Sequence, residues 1–238
     1  MKRLLHCTLA AAGLAISTMT WAGPVHDFEV SFREAYADYR SALFATNSGD
    51  AAATDRALTG FSNKWMALVS RWGATPPPQY ADDPTWPEVL KSASAIISRA
   101  SDAVRSGGLP AAHEILEHFR DEIGALHARN DIVTISDRMN AYHEKMEKVL
   151  GDGYEGWDAA GRARLAGDMA VLAYLAEDLD RHRPAALVGS TEFQGLMGAV
   201  RSSIAAVNQA LAGGQPDAIR KAVGGLKPAY SKFFLRFG

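Results

Sequence analysis

Apolar side chains recur every three or four residues along almost the whole chain, and no segment alternates convincingly at a period of two. A three-to-four spacing lines one face of a helix, whereas a half-buried strand needs alternation. The recurrence runs through Phe28, Phe32, Tyr36, Tyr39 and Leu43, then Leu58, Phe61, Trp65, Leu68 and Trp72. It resumes at Val89 to Val104, Ile115 to Leu126, Ile135 to Val149, Leu165 to Leu179, Leu196 to Leu211 and Ile219 to Phe234. The chain is therefore predicted to be all-α, with about eight helices and no sheet.

Turn-forming residues separate these stretches. Asn47-Ser48-Gly49-Asp50 reads as a turn that starts the next helix, and Pro76 to Pro87 is the longest non-helical stretch, with Thr85 placed to cap the helix that Pro87 begins. Ser136 and Asp137 are candidate caps for the fifth helix, after Asn130, and Arg183 to Ser190 forms the other long connection. Gly107-Gly108-Leu109-Pro110 and Gly213-Gly214-Gln215-Pro216 are matching breaks 106 residues apart. At that offset Ala35-Tyr36 falls on Ala141-Tyr142 and Thr85 on Thr191. An internal duplication is expected, giving two tandem up-and-down four-helix units, 23–131 and 132–238.

Residues 1–22 read as a secretory signal: Lys2 and Arg3 lead an apolar run, and Thr20-Trp21-Ala22 offers small residues where a signal peptidase reads. The run is too short to span a membrane. His6 stands where a lipoprotein site before Cys7 needs a small residue. Cleavage at Ala22 would leave 216 of the 238 residues, with no membrane span and a periplasmic or secreted location. Losing Lys2 and Arg3 leaves 23 basic against 27 acidic groups, a net charge of −4 that does not favour nucleic acid. Cys7, the only cysteine, would leave with the signal. Disulfides, thiolate metal sites and covalent haem are then excluded, and any metal must rest on His, Glu, Asp or Met.

Two motifs meet that requirement. His113-Glu114-Ile115-Leu116-Glu117 lies on the fourth helix and His143-Glu144-Lys145-Met146-Glu147 on the fifth. Positions i and i+4 share a helix face, so each motif presents an imidazole above a carboxylate, a ligand pair that suits a first-row metal. If the two helices form an antiparallel hairpin, His113 with Glu147 and Glu117 with His143 each sum to 260, centring the turn on residue 130. His113, Glu117, His143 and Glu147 are the expected ligands, with Glu114 and Glu144 as alternates. The helical wheel sets limits: His113 lies ~110° and Glu117 ~150° from the apolar centre of their helix, so Glu117 needs cover from another helix.

Weaker features stand beside these. Met139, His143 and Met146 form a soft set conceivable for copper, although a methionine stripe on an apolar face belongs more often to a core. His118, His127 and Arg120 neighbour the first motif. Trp65, Trp72, Tyr80 and Trp86 are placed to wrap the Pro-rich connection onto the bundle. Zinc proteases of the H-E-x-x-H type carry a second histidine where this chain has Glu117 and Glu147, which disfavours a hydrolase.

A signal followed by two four-helix units resembles the imelysin-type exported proteins, which implies a periplasmic, iron-linked role. The likeness is architectural: the H-x-x-E motif of that family meets Leu116 and Met146 here, and no site residue carries over. The expectation is an exported helical protein that binds a transition metal such as iron, copper or zinc, for metal binding, delivery or sensing, and more a binder than an enzyme. The alternative is a metal-free accessory module that docks on another periplasmic protein.

Overall fold

The computed structural model describes residues 23–151 and 158–238; residues 1–22, where a secretory signal is expected, lie outside the described residues. Among the described residues there is no strand, and all the predicted helices are present. The first four are α1 (Pro24–Ser48), α2 (Ala51–Trp72), α3 (Trp86–Arg105) and α4 (Leu109–Arg129). Then come α5 (Ile135–Gly151), α6 (Ala159–Arg181), α7 (Thr191–Gly213), α8 (Pro216–Gly224) and α9 (Leu226–Phe237).

The last predicted helix is divided into α8 and α9 at Gly224–Gly225. Pro228 accounts for the break. It has no N–H for the carbonyl of Gly224, four residues back, and its ring would collide with that carbonyl in a continuous helix. The other boundaries follow local chemistry. Asp50 accepts the backbone N–H of Ala53 at 2.8 Å to cap α2. Gly214 ends α7 at φ 69°, a left-handed conformation that a Cβ would disfavour.

Two caps differ from expectation. Thr85 precedes α3 but turns its hydroxyl onto Asp83, 2.7 Å away, and makes no side-chain cap. Thr134, rather than Ser136, caps α5. The Asp137 carboxylate accepts the Thr134 N–H at 2.7 Å, and the Asp137 N–H donates to the Thr134 hydroxyl at 3.3 Å, a reciprocal capping box.

Helices α1 to α4 pack each on the next, and α4 returns to α1. Their core is aromatic: Phe119 is fully buried, with ring centroids 4.9 Å from Phe61, 5.0 Å from Tyr39 and 5.3 Å from Trp65. Tyr80 stacks on Trp86 at 5.1 Å, and the Trp86 indole donates to the carbonyl of Trp72 at 2.9 Å, holding the Pro-rich connection onto the bundle. In the second half α5 packs on α6, α6 on α7, and α9 on both α7 and α5. Met139, Met146, Met169 and Met197 are wholly buried there, so Met139 and Met146 fill the core.

The two cores meet through α9. Its Phe234 packs against both, and α9 also lies on α1. Arg40 of α1, 7% exposed, donates to the carbonyls of Leu235 and Gly238, tying the end of α9 to the first bundle.

The expected α4–α5 hairpin is corrected by this arrangement. Helix α4 packs on α1 and α3 and α5 on α6 and α9, and the two do not lie side by side along their lengths. They are pinned near their joint, where His127 Nδ1 lies 2.9 Å from both oxygens of Asp137. Each helix has a larger apolar face to bury in its own bundle than a hairpin would cover. Beyond the joint they diverge and a cleft opens between the bundles.

Candidate functional site

That cleft is a cavity of about 830 Å³. Its walls come from α1, α4, α5 and α9 and the joint at Ile132–Val133. His113, Glu117, His143, Glu147 and Glu144 all line it, whereas Glu114 is exposed and does not. Five of the six residues expected to bind metal therefore share one cavity. The four principal ones do not converge at one level, because the helices diverge instead of pairing. Among the described residues, no three His, Cys, Asp or Glu side chains are grouped closely enough to hold a metal ion.

An ionic chain links the two motifs instead. Glu117 Oε1 lies 3.7 Å from His113 Nε2 and 3.5 Å from Arg120 Nη1. The same Arg120 nitrogen donates to His143 Nδ1 at 3.0 Å. His143 Nε2 faces Glu147 Oε1 at 3.3 Å, and Lys227 Nζ reaches that oxygen at 2.9 Å. Arg120 thus takes up the space between the motifs. Its position is legible on a wheel, since it lies three residues after Glu117 on the same face. Lys227 carries no such signal: it reaches Glu147 only because Pro228 breaks the chain and starts α9 there.

Hydrogen-bond direction makes the two histidines unequal. A guanidinium only donates, so His143 Nδ1 accepts, and the proton of its neutral ring sits on Nε2. Both nitrogens are then committed, and the ring is stacked on Tyr230 at 5.4 Å. Tyr230 is itself fixed by donating to the carbonyl of Met139 at 3.0 Å.

His113 is arranged otherwise. The Thr46 hydroxyl spends its proton on the carbonyl of Leu43 at 2.8 Å, and its oxygen accepts the Nδ1–H of His113 at 2.8 Å. His113 Nε2 therefore accepts, and the Asn47 amide donates to it in a long hydrogen bond of 3.5 Å. Burial pushes the His113 imidazole below its ordinary pKa; Glu117 opposes the shift without cancelling it. The ring is neutral at neutral pH, and its Nδ1–H is held by an oxygen. Ligating histidines are oriented in the same way.

The carboxylates differ as well. His143 holds the Glu147 carboxyl down to about 2, with Lys227 assisting and burial opposing. Burial alone would weaken the charge on Arg120, but Tyr39, Glu117 and Asp121 outweigh it and the guanidinium stays charged. His127 is buried with its Nδ1 held by Asp137, while His118 is exposed. Neither enters the ionic chain.

Comparisons with protein-family models, with curated proteins and with solved structures found no match to this chain. No helix among the described residues is long and apolar enough to cross a membrane.

Proposed function

We propose that this chain is an exported binding protein, periplasmic or secreted, that takes a first-row transition metal (iron, copper or zinc) into the cleft between its bundles. The observation that carries this reading is the state of His113: oriented through Thr46, with its Nε2 held only by a long hydrogen bond from the Asn47 amide and lying 3.7 Å from the Glu117 carboxylate. His113 and Glu117 form the entry half-site. His143 and Glu147 join it only if Arg120 and Lys227 give way. Two protein ligands make a weak and reversible site, which suits delivery or sensing better than permanent storage. The reading is non-catalytic, and the two bundles are taken as copies of one ancestral unit because their breaks share an offset.

The test is metal analysis of the purified protein, followed by titration with Fe(II), Cu(II), Zn(II) and Mn(II) under thermal melting. A metal present at a hundredfold excess over its Kd adds about 2.7 kcal/mol of stability. His113→Ala is expected to weaken binding at least tenfold, and His143→Ala by less. No stabilisation by any of the four metals, or binding indifferent to His113→Ala, overturns the reading.

One observation favours a second reading, a metal-free module that docks on another exported protein. The chain from Glu117 through Arg120 and His143 to Glu147 and Lys227 pairs these groups with one another, charge against charge. In that case His113→Ala leaves metal uptake unchanged, and a single stoichiometric partner is recovered with the protein.

A further inference from the structure

The cleft has a second end. Its volume is about 830 Å³, and pockets for small organic molecules run to about 300–1,000 Å³. The groups around His113 crowd the end where Thr46 and Asn47 meet that ring. Eight residues further along α4, a rise of about 12 Å, Asp121 lines the same cavity. From there to the joint the wall is Gly124 and Ala128, followed by Ile132 and Val133, with Ala141 and Glu144 contributed by α5. Val133 is 62% exposed, and a Cβ on Gly124 would meet no atom beyond its own stretch of helix within 4 Å. Small and apolar side chains thus leave an open surface against which an apolar group can pack.

The charges on the walls select the sign of a ligand. Glu117, Asp121, Asp137, Glu144 and Glu147 line the cavity against three cations, Arg40, Arg120 and Lys227. All three cations are already engaged. Arg40 donates to the carbonyls of Leu235 and Gly238, Arg120 donates to His143 beside Glu117, and Lys227 pairs with Glu147. Two carboxylates are not matched in this way. Asp121 is 65% exposed and lies 3.8 Å from basic nitrogens of Arg120 and His118. Glu144 is exposed and forms no ion pair among the described residues. A cleft with this excess of carboxylates concentrates cations and repels anions. An ammonium has three donors and no fixed coordination geometry, so two carboxylates on separate helices suit it.

Independently of the metal reading, we propose that the joint end of the cleft binds a small organic amine, a primary ammonium carried on a compact apolar body. The ammonium bridges Asp121 of α4 and Glu144 of α5. The body lies on Gly124, Ala128, Ile132 and Val133. Arg120 stays between Glu117 and His143, so binding does not require the ionic chain to open.

The experiment is equilibrium dialysis of the purified protein in a buffer containing a metal chelator, so that no metal takes part. The probes are 2-phenylethylamine, its neutral analogue 2-phenylethanol, and 3-phenylpropionate, which carries a carboxylate in place of the ammonium. Spermidine supplies positive charge without a compact apolar body. The amine is expected to bind at least fivefold more tightly than the other three, the margin that two partly exposed ion pairs provide, and to bind more weakly as salt rises. Asp121→Asn and Glu144→Gln, made together, are expected to lower affinity for the amine at least fivefold. Both positions are exposed, so the fold is retained. Gly124→Leu fills the cleft with a residue that favours a helix more than glycine does, and is expected to abolish binding of the amine. Equal binding of amine, alcohol and carboxylate overturns the proposal. So does spermidine bound as tightly as the amine, binding that survives either variant, or no binding at all. None of these results bears on the metal titration, which stands or falls by itself.

Discussion

Replacing Arg120 with glutamine tests the organisation of the cleft at its centre. The Arg120 side chain is 18% exposed, donates to His143 Nδ1 at 3.0 Å and lies 3.5 Å from Glu117. A hydrogen bond from a charged donor contributes about 1.5–3 kcal/mol when buried. Glu117 is 35% exposed, so its ion pair adds little and the lower end of that range applies. The expected loss is about 1–2 kcal/mol, or a fall of about 2–8 °C in Tm for a domain pair of this size. The sharper readout is the His143 ring. In the wild-type protein, long-range ¹H–¹⁵N correlation spectra should place the proton on Nε2, with Nδ1 bare. In Arg120→Gln the two tautomers should mix, because an amide can accept from Nδ1–H as well as donate to it. A wild-type His143 protonated on Nδ1, or a ring whose tautomer ignores the substitution, would refute the hydrogen-bond assignment and the inequality of the two histidines that rests on it.

Three other outcomes follow from the packing. Phe119→Ala removes the ring on which Tyr39, Phe61 and Trp65 converge and should cost about 3–5 kcal/mol in urea unfolding of the first bundle; a loss below 1 kcal/mol would mean this core is not packed as described. Asp83, buried and hydrogen-bonded to Asn130, Thr85 and Arg129, has its carboxyl held far below the usual range although burial opposes this. Its stabilisation is therefore complete above about pH 4 and lost as the pH falls below that value. Wild-type urea midpoints should then drop more steeply between about pH 4 and 2 than those of Asp83→Asn, and parallel curves would contradict the assignment. Gly214→Ala forces a Cβ into the left-handed region at φ 69° and should lower stability by about 1–2 kcal/mol; an unchanged Tm would show that the cap relaxes freely.

Much of the fold was legible because helical periodicity is a local property. Phe28 to Leu43 and Leu58 to Trp72 bury the faces their spacing marked. The aromatic group of Trp72, Tyr80 and Trp86 closes the Pro-rich connection as its composition implied. The division of the final helix was hidden by the apolar rhythm from Ile219 to Phe234, which continues across the break, although Pro228 forbids the bond to Gly224. The candidate site was partly legible. His113, Glu117, His143 and Glu147 all line one cavity, yet the hairpin register that would make them converge is absent.

The sequence by itself determined the helices, most of their ends and the pairing of each imidazole with a carboxylate one turn away, because these follow from neighbours within four residues. Only the tertiary structure decided what lies between the two motifs. Helices α4 and α5 each bury an apolar face in a different bundle, and that demand outweighs any pairing between them. A cleft results, crossed by Arg120 and closed at one side by Lys227 from a helix some eighty residues further along. The same packing brings Thr46 and Asn47 of α1 onto His113, so that one of the four expected ligands has its Nδ1 held by a hydroxyl and its Nε2 held only by a long hydrogen bond.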